Sequence, residues 1–299
     1  MPLHHAVLHD RVCLEARGPE AAAFLHGQLS RSMLELAAGD APLAGWADAR
    51  GRVRAVLRVV PLPERWLLVT PREGADALLA KLRMFVLRAK VTLARADDVA
   101  VAALLGDAAD VLGRRGVAAD TPPNRMVRRD ELGFVRIAPR YWQVLGPRAA
   151  LEPLAAEAES AAATAADLAE IGLGIPAITP PIAERFVAQM LNLDALGAVS
   201  FDKGCYPGQE IIARVHNLGG GKRRARRYAL HAAGTAEPAP ATPVLDPNGR
   251  IVGDVVRAAR AAQGFELLAV VDHAAAAGAL TCCGAPLMEL PLPFDVPRD

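Results

Sequence analysis

A mixed α+β fold closed by a small all-β domain is predicted by three observations. Segments with strand-like alternation interleave with segments of helical spacing through most of the chain. Gly219-Gly220-Gly221 can stably continue neither helix nor strand and reads as a linker. Beyond it only short strands and turns follow, the pattern of a small β-domain. The predicted domains are therefore residues 1–220 and 221–299.

The elements follow in order. Gly18-Pro19 opens a helix running to about Leu29, with Phe24, Leu25 and Leu29 on one face. Ser32-Met33-Leu34-Glu35 has capping-box spacing and predicts a short second helix ending near Gly39. Leu43 to Ala47 and Arg52 to Val60 read as strands joined by a turn at Asp48-Ala49-Arg50-Gly51. Trp66 to Thr70 is a further strand. Glu73 to Lys90 reads as one long helix with Leu78, Leu82, Phe85 and Val86 along its apolar stripe. Strands are expected at Val91 to Leu93, Val99 to Leu105, Phe134 to Ile137 and Tyr141 to Leu145, and an exposed helix at Ala150 to Ala163. After the glycines, strands are expected at Arg223 to Leu230, Arg250 to Val256, Phe265 to Val271 and Pro286 to Leu290. The turn Asp246-Pro247-Asn248-Gly249 lies between two of them.

A chain of 299 residues is long enough for two or three domains and needs no disulfide or metal to hold a core. The 34 basic and 33 acidic residues leave a net charge of +1, which argues against a general polyanion binder. No run of about 18 apolar residues exists, so no membrane span is expected. The start, with acids at Asp10 and Glu15, fits neither a signal nor a transit peptide, so a cytoplasmic location is expected. The four cysteines, Cys13, Cys205, Cys282 and Cys283, lack ligand spacing, so no metal is expected. They read as three small buried hydrophobes and one special thiol, Cys205.

That thiol lies in Lys203-Gly204-Cys205-Tyr206-Pro207-Gly208-Gln209-Glu210. The two glycines and the proline predict a tight turn, and the apolar spacing from Gln209 onward predicts a short helix. Cys205 is thus expected just before a helix N-terminus and two residues from an ammonium, both of which favour thiolate. A reactive or ligand-contacting thiol and an inert turn cysteine both remain open on these residues alone.

The same octapeptide closely resembles the K-G-C-Y-x-G-Q-E signature of YgfZ-type folate-binding proteins, a branch of the glycine-cleavage T-protein superfamily. The likeness extends to the opening helix from Gly18 to Ser30, to a D-x-x-G-R hairpin at Asp48 to Arg52, and to Gly174-Ile175-Pro176. It also takes in Gln189 to Leu193 and Val199 to Phe201. It covers roughly residues 12 to 216. The resemblance implies two interwoven α+β subdomains and a C-terminal β-barrel in a three-domain ring, with tetrahydrofolate in the central cavity. It implies a folate-binding accessory protein for iron-sulfur cluster assembly or repair, whose clients include tRNA-modifying enzymes. It implies no classical turnover activity of its own. One stretch departs: Glu170-Ile171-Gly172-Leu173-Gly174 stands where many relatives carry Arg-x-Glu-Ala-Gly, so glycine replaces the acid that would meet a pterin.

Carried onto matching positions, the resemblance makes Cys205, Lys203 and Asp48 the candidates for chemistry, and Lys203, Cys205, Tyr206, Gln209, Glu210 and Arg50 the candidates for contacting the cofactor. Asp48 also reads as a turn aspartate, Tyr206 as packing, and Gln209 and Glu210 as helix-start residues. Arg50, Arg52, Arg54 and Arg58 share parity, so on one strand they would form a cationic face suited to a polyglutamate tail or simply to solvent. Lys222 to Arg227 is a second basic run, but without interleaved aromatics direct nucleic-acid binding is not expected. Two rival functions stand beside the first: a tetrahydrofolate-dependent aminomethyltransferase, and a scaffold that has lost folate.

Overall fold

The structure, a computed structural model, describes residues 2–219, 221–231 and 236–297. The middle glycine of the expected linker, Gly220, lies outside the described residues. The first half of the chain runs β1 (His4–Val7), β2 (Arg11–Arg17), α1 (Ala21–Gln28), β3 (Leu43–Ala47), β4 (Val53–Pro61), β5 (Trp66–Pro71), α2 (Ala75–Arg83), β6 (Thr92–Arg95), β7 (Ala100–Leu105) and α3 (Ala109–Gly113). It continues through β8 (Arg125–Arg129), β9 (Leu132–Ala138), β10 (Tyr141–Gly146), α4 (Arg148–Ala156), β11 (Glu159–Ser160), α5 (Thr164–Gly172) and α6 (Gln209–Leu218). The last stretch holds β12 (Arg223–Leu230), β13 (Pro243–Leu245), β14 (Ile251–Ala261), β15 (Gly264–Asp272), α7 (His273–Ala276), β16 (Leu280–Cys282) and β17 (Ala285–Leu290). Among the described residues no helix is long and apolar enough to cross a membrane.

The chain divides into two compact units. The first comprises Met1–His26, Ser32–Leu43 and Leu57–Ala166. It carries a six-stranded sheet in the order β11-β1-β7-β10-β9-β8. In the same unit, β5 pairs antiparallel with β2 and with the end of β4, and β2 with β6. Its core forms where α3 and α4 cover the six-stranded sheet: Val111, Leu112, Leu151 and Leu154 pack on Leu104, Phe134, Trp142 and Val144. Each such side chain contributes about 1.5–3 kcal/mol by leaving water.

The second unit comprises Gly27–Arg31, Ala44–Val56 and Asp167–Asp299. Its strands β12-β15-β14-β13-β16-β17 close into a barrel, which removes exposed sheet edges. Alternation along β15 sends Phe265, Leu267, Ala269 and Val271 inward to meet Tyr228, Leu230, Val244 and Val255. The α+β class and the terminal barrel are as the sequence predicts.

Several elements differ from expectation. Ser32 to Gly39 forms bends rather than a helix. The Ser32 hydroxyl and the Met33 amide both turn to His26 Nδ1, at 3.4 and 3.3 Å, so no cap is made. The helix expected over 73–90 stops at Arg83, whose guanidinium bonds the Leu93 carbonyl at 2.9 and 2.6 Å. The amides of Met84, Phe85 and Val86 bond three residues back, the tightening that ends a helix. The helix expected over 150–163 runs only from Arg148 to Ala156, because Glu159 and Ala161 amides join the Leu3 and His5 carbonyls instead. The short strands β1, β8, β13 and β16 and helix α5 carry too little periodic signal to be read.

Candidate functional site

The octapeptide from Lys203 to Glu210 lies wholly in the second unit, as do Asp48 and Arg50. The hairpin turn between β3 and β4 is built by Asp48. Its Oδ1 accepts from the amides of Arg50 (2.9 Å) and Arg52 (2.8 Å), and its carbonyl accepts from Gly51 (3.0 Å). Gly51 closes the turn at φ +72°.

Gly208, at φ +82°, is the residue from which α6 starts, and it lies against this turn. A Cβ on Gly208 would come within 2.5 Å of the Asp48 carbonyl oxygen and 2.6 Å of Gly51 Cα. A Cβ on Gly51 would meet Ile211 at 3.1 Å. The two motifs therefore meet backbone to backbone, an approach only glycine allows.

A second ridge is the segment after α1. Ser30 Oγ donates to Ala198 O (2.7 Å) and accepts from Gly45 N (2.8 Å), and Ser200 N donates to Ser30 O (2.9 Å). Arg31 Nη1 donates to Gly197 O at 2.7 Å. The Lys203 ammonium, buried at 7% exposure, donates to Leu29 O at 2.6 Å and Arg31 O at 3.4 Å. It also stands 4.7 Å from the centre of the Tyr206 ring, a cation–π contact. Burial pushes the Tyr206 hydroxyl up to about 12. Gln209 Nε2 bonds the Lys203 carbonyl at 3.2 Å, and Glu210 makes an exposed i,i+4 pair with Arg214 at 2.9 Å.

Gln189, Asn192 and Arg224 hold this assembly from behind. Gln189 Nε2 bonds Ile212 O (2.6 Å) and Asn192 Nδ2 bonds Ala225 O (2.8 Å). Arg224 Nη1 reaches Gln189 O (2.8 Å) and Asp194 (2.8 Å). Their part in the site has no signal in composition or spacing.

Cys205 is exposed, next to exposed Gly204. The Lys203 ammonium is held by two carbonyls, and α6 begins at Gln209, as the spacing predicts. Tyr206 is buried under Lys203 rather than presented for stacking. Arg50 is exposed, and its guanidinium has no partner among the described residues.

The cationic face expected from Arg50, Arg52, Arg54 and Arg58 does not form. Arg52 bonds Arg185 O, and Arg54 pairs with Glu184 at 2.8 Å and lies over Trp46. Arg58 is buried on Ala41 O and Asn124. The basic run after the linker is likewise spent inside the second unit: Arg223 pairs with Asp272, Arg224 with Asp194, Arg226 with Glu289 and Arg227 with Glu266. Of the cysteines, Cys13 and Cys282 are buried, but Cys283 is exposed, because φ +52° in the β16–β17 turn swings its side chain outward.

Glu170 holds a buried ion pair with Arg257 at 2.7 Å, and Arg257 also engages Asp167 and the Ile175 carbonyl. Gly172 is not sterically required, since a Cβ there meets nothing closer than the Arg227 guanidinium at 3.7 Å. Among the described residues no group of three or more His, Cys, Asp or Glu side chains is placed to hold a metal ion.

No family model matches the chain. Its fold is that of glycine-cleavage aminomethyltransferases: the crystal structure of aminomethyltransferase T from Bartonella henselae superposes with a TM-score of 0.78 over 99% of this chain and 87% of that one, at 17% identity. The chain is 31% identical over 231 residues to the tRNA-modifying protein YgfZ of Edwardsiella ictaluri, spanning 75% of this chain and 70% of the relative. It is 30% identical over 285 residues to that of Cronobacter sakazakii, spanning 91% and 85%. The chain belongs to the YgfZ family.

Proposed function

We propose that this protein is a folate-binding accessory factor that supports tRNA modification by sustaining iron-sulfur enzymes, with Cys205 as its working thiol. The observation that carries this reading is the exposed Cys205 on a loop fixed by the glycine contact with the Asp48 turn. The names of the relatives add tRNA modification, and the fold adds a likeness to a one-carbon transferase.

The residues present fit a folate in part. The exposed guanidinium of Arg50, unpartnered among the described residues, suits a glutamate carboxylate. The space at Gly172 leaves room beside Arg227, and Arg227 holds Glu266 through one carboxylate oxygen only, at 2.9 and 2.7 Å. Glu266 is thus the acid that would meet a pterin amino group in place of the missing one at 172. Bound folate would supply one-carbon chemistry, while Cys205 would contact the ligand or its cargo. Lys203 and Tyr206 act by holding the loop, and Asp48 by holding the turn. We also propose residues 1–220 as the folate-binding region and 221–299 as a barrel domain. A cytoplasmic location is part of the same proposal.

Calorimetric titration with tetrahydrofolate tests the binding half, beside Glu266→Gln and Arg50→Gln. Micromolar binding weakened by both changes is the supporting result. No binding by the wild type would favour the folate-free scaffold, a reading kept because of Gly172. Restoration of iron-sulfur tRNA-modifying activity in a strain lacking its own homologue tests the other half. Full rescue by Cys205→Ala would remove the thiol from the mechanism. Methylene transfer from an aminomethylated lipoyl carrier would favour an aminomethyltransferase instead.

A further inference from the structure

The first unit contains a cavity remote in sequence from the signature. Its volume is about 150 Å³, well above the ~10–15 Å³ that one water needs. Four arginines line it, Arg11, Arg72, Arg95 and Arg148, beside Asp97 and Asp98.

These charges are not equally compensated. Arg95 pairs with Asp97 (3.1 Å) and Asp76 (3.0 Å), Arg11 pairs with Asp10, and Asp98 is taken by Arg65 at 2.7 Å. Arg72 instead bonds the His9 carbonyl through Nε at 2.6 Å, which fixes its position and leaves its two terminal nitrogens without a carboxylate among the described residues. Arg148 is exposed and has no partner among the described residues. It is the first residue of α4, a helix with no side-chain cap and no acid in its first turn. Two arginines without a carboxylate partner among the described residues thus line one concavity.

Guanidinium forks match phosphate and carboxylate oxygens, and a cavity favours a compact terminal group over a polymer backbone. We infer that this cavity binds a phosphate monoester dianion, the terminal phosphate of a small ligand, between Arg72 and Arg148. The site belongs to the first unit and does not depend on the reading given to Cys205.

The test is calorimetry on the full chain at low ionic strength, with inorganic phosphate, glycerol 3-phosphate and dimethyl phosphate as probes. Glycerol 3-phosphate is expected to bind the wild type, and Arg148→Gln and the Arg72→Gln/Arg148→Gln double variant to lose roughly tenfold or more, as removal of charge-assisted hydrogen bonds predicts. Arg148→Gln alters an exposed side chain with no partner among the described residues, so it leaves the fold intact, which a thermal melt checks. Absence of binding by both inorganic phosphate and glycerol 3-phosphate in the wild type would overturn the inference. So would unchanged binding in the double variant. Dimethyl phosphate binding as tightly as the monoester would assign the site to a phosphodiester backbone and overturn the monoester assignment.

Discussion

Gly208 and Asp48 are so close that a Cβ on the glycine would stand 2.5 Å from the aspartate's carbonyl oxygen. The obstacle is backbone, so it cannot swing aside. Gly208→Ala is expected to cost about 1–3 kcal/mol from overpacking, with left-handed strain of roughly 1–2 kcal/mol added. Gly249→Ala is the control: it shares a positive φ of +77° but meets nothing within 4 Å. Thermal melts should place the Gly208 variant clearly below the Gly249 variant. Equal melting points would show that the loop relaxes and that the close approach is not required.

Lys203 reads as an anchor. Lys203→Met keeps the aliphatic stem and strands the Leu29 and Arg31 carbonyls. A loss of about 1–3 kcal/mol is expected from the unsatisfied acceptors. Urea denaturation measures it, and an unchanged midpoint would show that the ammonium holds nothing.

The four thiols should separate into two classes. Cys205 and Cys283 are exposed, and Cys13 and Cys282 are buried with thiols pushed up to about 12 by desolvation. Ellman titration of the native protein should label two thiols quickly and the others only on unfolding. Cys205→Ser should remove one fast equivalent; a single fast thiol in the wild type would contradict the placement of Cys283.

Glu157 ties the end of α4 to Arg115 and Arg114, and their hydrogen bonds hold its carboxyl down at about 2. A carboxyl whose folded value lies below its unfolded value stabilises the fold above the unfolded value, near 4.5, and loses that contribution as pH falls toward 2. Glu157→Gln should therefore cost up to about 1 kcal/mol at neutral pH, the modest worth of a partly exposed pair. It should cost nothing near pH 2. A deficit that is the same at both pH values would point to lost packing rather than to charge.

What the sequence made legible depended on whether a residue acts through its neighbours in the chain. The turn at Asp48 to Gly51, the helix from Gln209 and the barrel strand from Arg223 to Leu230 are set by local spacing, and each was readable. Lys203 and Tyr206 were readable as special, yet their orientation was not. The Leu29 and Arg31 carbonyls that turn the ammonium inward are 174 and 172 residues away. Arg224 shows the same limit. In a run of basic residues it looks like surface charge, while the fold buries it on Gln189 and Asp194. Ser32 failed for a nearer reason: His26 outcompeted the helix for its hydroxyl.

The second unit draws on Gly27–Arg31 and Ala44–Val56 as well as on the chain beyond Asp167. Ser30 waits for the Ala198 carbonyl 168 residues downstream. At about 5–20 residues per second, a ribosome needs roughly 10–30 s to deliver it. Throughout that interval Ala44, Trp46 and Val53, all buried in the finished protein, lack their partners from the second unit. Newly made chains therefore carry an unfinished apolar hairpin until the residues around Ala198 are made. Holding chaperones should associate with nascent chains in that window and leave them once the residues around Ala198 have emerged.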